Sequence, residues 1–110
     1  MAFGGVRLSE FVITSGVIAT FSSSDIAERG FCAQCGTPLT YQGSGSDRIS
    51  VTLGSLDDPD AVEPAVQIGV ESRLRWLTPA LSAPETRTEQ WLAQAKIAEV
   101  HNRQHPDRET

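Results

Sequence analysis

The sequence predicts a small, mainly β fold of antiparallel strands followed by a C-terminal α-helix. Apolar and polar residues alternate with a period of two through much of the first seventy residues. Gly-, Ser- and Pro-containing clusters interrupt those segments where hairpin turns would fall. After Pro79 and Pro84 the alternation stops and good helix formers take over.

Taken in order, Val6 and Leu8 alternate with Arg7 and Ser9, and the pattern continues into Phe11-Val12-Ile13. Ser15-Gly16 is a turn signal, after which Val17, Ala19 and Phe21 are expected on one face of a strand. Ser22-Ser23-Ser24-Asp25 reads as a loop. Leu39 and Tyr41 alternate with Thr40 and Gln42 before the flexible connection Gly43-Ser44-Gly45-Ser46-Asp47. Ile49, Val51 and Leu53 give the cleanest strand, and Val66, Ile68 and Val70 predict another. About five or six short strands result from this pattern. Thr86-Arg87-Thr88-Glu89 has the form of a capping box, with Thr86 as N-cap and Glu89 at N3. The helix it opens is expected to run from residue 87 to about residue 103, with Trp91, Leu92, Ala95 and Ala98 on its apolar face and Pro106 beyond its end.

The chain has 110 residues, 39% of them hydrophobic and 21% charged, with a formal net charge of −5. That is the size and composition of one ordinary domain. The acidic balance and nine scattered basic residues argue against a nucleic-acid partner, because phosphate binding draws on clustered Lys and Arg. No apolar run approaches the roughly 20 residues of a membrane span, and Arg7, Ser9 and Glu10 come too early for a signal peptide. No membrane partner is expected, and a reducing cytoplasm is the expected location.

Chemistry concentrates in Arg29-Gly30-Phe31-Cys32-Ala33-Gln34-Cys35-Gly36-Thr37-Pro38-Leu39, which holds both cysteines. A Cys-x-x-Cys-Gly turn lets two thiolates converge on one metal ion, and Gly36 suits the positive-φ position of such a knuckle. Soft thiolates select zinc over magnesium or calcium. Redox chemistry of the thioredoxin type would need the pair at a helix start, whereas Gly36, Pro38 and strand-like sequence come next here. Two buried thiols, or an adventitious disulfide between them, are the third reading. A structural zinc takes four ligands, so Cys32 and Cys35 make half a site. A second copy of the chain is one source of the missing thiolates, which makes a homodimer a candidate assembly.

Three motifs stand in order: Arg29-Gly-Phe-Cys-x-x-Cys-Gly-Thr-Pro-Leu39, then Gly54-Ser55-Leu56-Asp57-Asp58-Pro59, then Ile68-x-x-x-Ser72-Arg73-x-x-Trp76-Leu77. Together they resemble the glutathione-dependent formaldehyde-activating family, whose domain is shared with centromere protein V. The resemblance covers about residues 1–78 and leaves 79–110 as a linker and C-terminal helix. It implies a β-tent-like zinc domain and a carbon–sulfur lyase that condenses formaldehyde, or a related small aldehyde, with glutathione to give S-hydroxymethylglutathione. Two zincs are implied: a structural one held by a Cys-x-Cys and a later Cys-x-x-Cys pair, and a catalytic one held by an upstream cysteine cluster. Only the later pair has counterparts, Cys32 and Cys35. Met1-Ala2-Phe3 matches family sequence just after the catalytic cluster, so the chain reads as a member lacking its N-terminal metal-binding segment. Gln67 stands where family members commonly carry His, and Gln cannot shuttle protons at neutral pH. The expectation is therefore a chain impaired or inactive in the lyase reaction, with no catalytic residue assigned. The alternative is a non-catalytic β module for protein interaction or dimerisation.

Other residues have plainer readings. Gly54 to Pro59 reads as a strand-ending turn with Asp57 and Asp58 bonding local backbone, against a lining role in a glutathione site. Arg73 and Arg75 could hold a glutathione carboxylate, but read more simply as the solvated face of a strand. Trp76 and Trp91 read as core anchors. His101 and His105, four apart, are expected on a solvated helix face rather than as zinc ligands.

Overall fold

Strand pairing, rather than helix packing, organises this chain in the computed structural model, which describes residues 1–101 and Arg103. Among the described residues, five strands form one antiparallel sheet: β1 (Phe3–Arg7), β2 (Ala19–Ser24), β3 (Ala27–Phe31), β4 (Pro38–Gly43) and β5 (Arg48–Thr52). Their order across the sheet is β1-β5-β4-β3-β2. Four consecutive strands thus meander from β2 to β5, and β1 adds to the outer edge of β5 with Phe3 opposite Thr52 and Arg7 opposite Arg48. The mainly β, antiparallel expectation describes the molecule.

Local chemistry sets the turns. Asp25-Ile26 joins β2 to β3 after a register shift between Ser22 and Ser24. Gly45, at φ +71°, permits the turn after β4, where the Ser46 N–H donates to the Gly43 carbonyl at 3.1 Å. Arg48 then reaches across to the Gly5 carbonyl at 3.1 Å. The buried apolar side chains among the described residues are Ala27, Ile49 and Leu53, joined by Thr40 and Thr52. The burial of Thr52 is tolerable because its hydroxyl donates to the Pro38 carbonyl at 2.9 Å.

The chain divides into two compact units: Met1–Ala65, which holds the whole sheet, and Val66–Arg103. The second unit contains two α-helical segments among its described residues, α1 (Leu77–Ala80) and α2 (Thr88–Gln94).

Several expectations are corrected. Phe11-Val12-Ile13 does not continue β1, because Leu8–Glu10 turns as a 3-10 segment and the Phe11 N–H closes on the Leu8 carbonyl. Ser22 to Ser24 belong to a strand, since pairing with β3 supplies the ladder that their composition does not suggest. Val66-Ile68-Val70 pairs with nothing among the described residues; Gly69 adopts a left-handed conformation and Val70–Ser72 forms a 3-10 turn. The helix begins one residue later than expected, with Arg87 as N-cap and its N–H donating to Gln90 at 3.4 Å. It also ends early, at Gln94. The Ile97 N–H bonds the Leu92 carbonyl and the Lys96 N–H bonds the Ala93 carbonyl, the two bonds of a Schellman stop.

Candidate functional site: a thiol knuckle beside an apolar groove

Cys32 and Cys35 lie in the connection between β3 and β4. The Cys32 N–H donates to the Thr37 carbonyl at 2.9 Å, extending the β3–β4 ladder one step past Phe31. The Gly36 N–H folds back onto the Cys32 carbonyl at 2.7 Å, and Gly36 takes φ +76°, as the knuckle reading requires. Both thiols are free and half-buried. The pair thus sits between two strands and not at a helix start, the position that redox chemistry of the thioredoxin type uses.

Thr37 conditions the second thiol. Its Oγ1 is 3.1 Å from Cys35 Sγ. That hydroxyl first, then the Thr37 backbone and the Cys32 thiol, lower the Cys35 pKa from its ordinary value by stabilising the thiolate. A turn that favours thiolate is chemically suited to a soft metal ion.

Beside the knuckle runs an apolar groove of about 320 Å³ whose walls include Met1, Phe3, Phe21, Arg29, Phe31 and Pro38. The register explains the cluster: Phe21 stands opposite Arg29, and Arg29 opposite Tyr41, so these side chains share one face of the sheet. The Arg29 guanidinium sits 4.9 Å from the centre of the Tyr41 ring, which in turn tilts against Phe3 with centroids 6.1 Å apart. The guanidinium is thus held against an aromatic face, and Arg29 lies at the groove edge. Phe31 and Pro38, which line the groove, flank the knuckle in the chain, whereas neither cysteine is among the groove's lining residues.

Sequence reasoning did not single out Arg29 or Thr37. Arg29 opens the motif, but its role depends on pairing with β4, and no alternation marks β3.

The Gly54 to Pro59 segment folds as two short turns. Ser55 Oγ donates to the Thr52 carbonyl at 2.8 Å, and the Asp58 carboxylate accepts from the Asp60 N–H at 3.1 Å. Asp58 therefore bonds local backbone, and through Thr52 this segment is tied to Pro38 at the end of the knuckle. Arg73 donates to the side-chain oxygen of Gln67 at 2.8 Å. Neither arginine of the Arg73-Leu74-Arg75 stretch lies on a strand. The tryptophan expectation is corrected: Trp76 and Trp91 are exposed at 61% and 56%. His101 lies beyond the end of α2, 3.8 Å from Glu99, and so is not on that helix; His105 lies outside the described residues. Among the described residues no group of three or more His, Cys, Asp or Glu side chains is placed to hold one metal ion.

The model of the glutathione-dependent formaldehyde-activating enzyme family matches residues 2–72, more than half of the chain and inclusive of the whole sheet. No curated protein and no solved structure matches it.

Proposed function

The chain belongs to the glutathione-dependent formaldehyde-activating enzyme family, and from that premise we propose that it carries the sheet, the groove and one zinc-binding knuckle of a site for glutathione and a small aldehyde. The observations that carry this reading are the Cys32/Cys35 turn, where Thr37 favours the Cys35 thiolate, and an apolar groove edged by Arg29 whose lining residues Phe31 and Pro38 flank that turn in the chain. The family reaction joins the glutathione sulfur to the formaldehyde carbon, and the thiol proton ends on the new hydroxyl. The groove suits the organic part of such a thiol, and Arg29 suits one of its carboxylates. Thr37 and Gly36 hold the knuckle that would bind zinc through Cys32 and Cys35, and a zinc there would crosslink the β3–β4 turn.

A second, substrate-activating zinc does not fit the residues present. The sequence contains no cysteine besides Cys32 and Cys35, so no further thiolate is present to hold it. We therefore read the chain as impaired in the lyase reaction by itself, with residues 1–78 as the family domain. Free thiols suit a reducing compartment such as the cytoplasm. Exchange spectroscopy on formaldehyde plus glutathione tests this: the chain should not accelerate formation of S-hydroxymethylglutathione. A zinc-dependent acceleration removed by chelator would show that it is a competent lyase. Titration with glutathione alone should shift the resonances of Phe3, Phe21 and Phe31, and Arg29→Gln should weaken that binding roughly tenfold. No shift at these rings would remove glutathione from the proposal.

A second reading, a non-catalytic β module for self-association, rests on a separate observation. Val17, Phe21 and Ile26, around the edge strand β2, are exposed at 90%, 67% and 71%.

A further inference from the structure

We propose that the outer edge of β2 is a self-pairing surface: two copies of this chain join β2 to β2 in antiparallel register, with Phe21 of each at the two-fold axis, into one sheet twice as wide. The proposal rests on the self-association reading above and adds to it the strand, the register and the consequence for the groove.

β2 ends the sheet: β3 pairs with one side of it, and no strand among the described residues pairs with the other. Alternate residues of such an edge turn their N–H and C=O groups outward, a template for one more strand. No backbone bond outside the sheet ladder involves Ala19 to Ser24 among the described residues. Exposed edges are ordinarily blunted by Lys, Pro or an inward-pointing charge. The edge strand here, Ala-Thr-Phe-Ser-Ser-Ser, has none of these. From Phe11 to Ser24 no residue is charged, although 21% of the chain is. A second β2 therefore satisfies these backbone groups without burying a charge.

The exposed apolar residues point to a second copy as the occupant. Val17 precedes Phe21 by four residues and Ile26 follows it by five, and all three are exposed. Antiparallel pairing about Phe21 sets Phe21 against Phe21 of the second copy. It also brings Val17 of each copy to the Asp25-Ile26 turn of the other, so the same apolar contact forms twice. The register shift between Ser22 and Ser24 ends the regular ladder, which leaves Thr20-Phe21-Ser22 as the centre of the seam. Each chain carries a formal net charge of −5, yet this register keeps like charges apart. The two Asp25 residues fall at opposite ends of the seam, roughly 25 Å from each other. Glu28 pairs with Ser22, so the two Glu28 residues are three strand spacings apart, about 14 Å, beyond the screening length in physiological salt. Asp57 and Asp58 follow β5, three strands in from this edge. The pair is isologous and closed. Its seam is short, in the class of transient interfaces under about 1,200 Å², so the dimer is reversible. Because Phe21 lines the groove, the strand of the second copy borders that groove, and the two grooves open on one face of the joined sheet.

The test uses the unaltered chain with reductant and chelator present, so that neither a disulfide nor a metal can join two copies. Sedimentation equilibrium from low micromolar to near-millimolar concentration should show a monomer–dimer equilibrium, and amide exchange of Thr20 to Ser22 should slow as dimer forms. Two variants at Val17, outside the strand, read the register. Val17→Asp sets a second carboxylate beside Asp25 of the other copy and should weaken the dimer about tenfold, since the contact occurs twice. Val17→Lys sets a cation there and should leave the dimer as tight or tighter. Phe21→Lys should give a monomer, with far-UV circular dichroism showing that its sheet is intact. A chain that stays monomeric throughout overturns the pairing and the self-association reading together. A dimer that Val17→Asp and Phe21→Lys leave unchanged, with β2 amides unprotected, overturns the β2 seam and leaves self-association through another surface. Equal weakening by Val17→Asp and Val17→Lys overturns the antiparallel register about Phe21.

Discussion

Gly30 has no room for a side chain. It pairs directly with Thr40 across β3 and β4, and a Cβ built there would overlap Thr40 Oγ1 and stand 2.7 Å from Ile18 Cγ2. Gly30→Ala should therefore destabilise the sheet by about 1–3 kcal/mol, as overpacked cores do; chemical denaturation measures it, and an unchanged midpoint would mean that Thr40 and Ile18 both move aside freely. At the far side of the knuckle, Thr37 makes the Cys35 thiol more acidic than an ordinary cysteine. A lowered pKa means more thiolate below the ordinary thiol range, so alkylation of Cys35 in the metal-free chain should persist at lower pH than in a model thiol. Thr37→Val should move the profile back up in pH, and mass spectrometry of the labelled peptide reads it. An unmoved profile would assign the shift to the backbone and the Cys32 thiol. Cys32, Cys35 and Gly36 were legible in the sequence because metal-binding turns have a local spacing rule. Thr37 and Arg29 were not, because their roles arise from a hydrogen bond across the turn and from strand register.

The element scale shows the same division. The strands with clean alternation, around Tyr41 and Val51, are where the sequence predicts them, as β4 and β5. Ala27-Glu28-Arg29-Gly30-Phe31 forms β3 without such a pattern, since two neighbours provide its ladder and Gly30 and Ala27 leave little apolar signal. The reverse holds for Val66-Ile68-Val70, where alternation exists without a pairing strand among the described residues. The stop of α2 is equally silent in the sequence, because Lys96 stands at the left-handed position where Gly is usual. Its φ of 57° is strained for a residue with a Cβ. Lys96→Gly should therefore stabilise α2 by roughly 0.5–1 kcal/mol, the relief of strain exceeding the extra freedom of the unfolded chain. Helical content by circular dichroism should rise; a fall would show that the Schellman stop does not form in solution.

Across the whole molecule, burial is confined to one unit. Ala27, Ile49, Leu53, Thr40 and Thr52 all belong to Met1–Ala65, while every described residue of Val66–Arg103 except Leu92 is exposed. Local stability tracks buried contacts and protected hydrogen bonds, so opening free energies should differ sharply between the units. Amide exchange should be slowest in β3, β4 and β5, the strands with a neighbour on each side, where opening requires the sheet to come apart. Amides of Val66–Arg103 should exchange orders of magnitude faster, including those inside α2, because a helix of seven residues is marginal without packing. Zinc adds a discriminating step. A metal held by Cys32 and Cys35 should slow the Cys32 and Gly36 amides, whose bonds close the knuckle, and leave α2 unchanged. Equal protection of both units would mean that the second is stabilised by surface that its own residues do not bury.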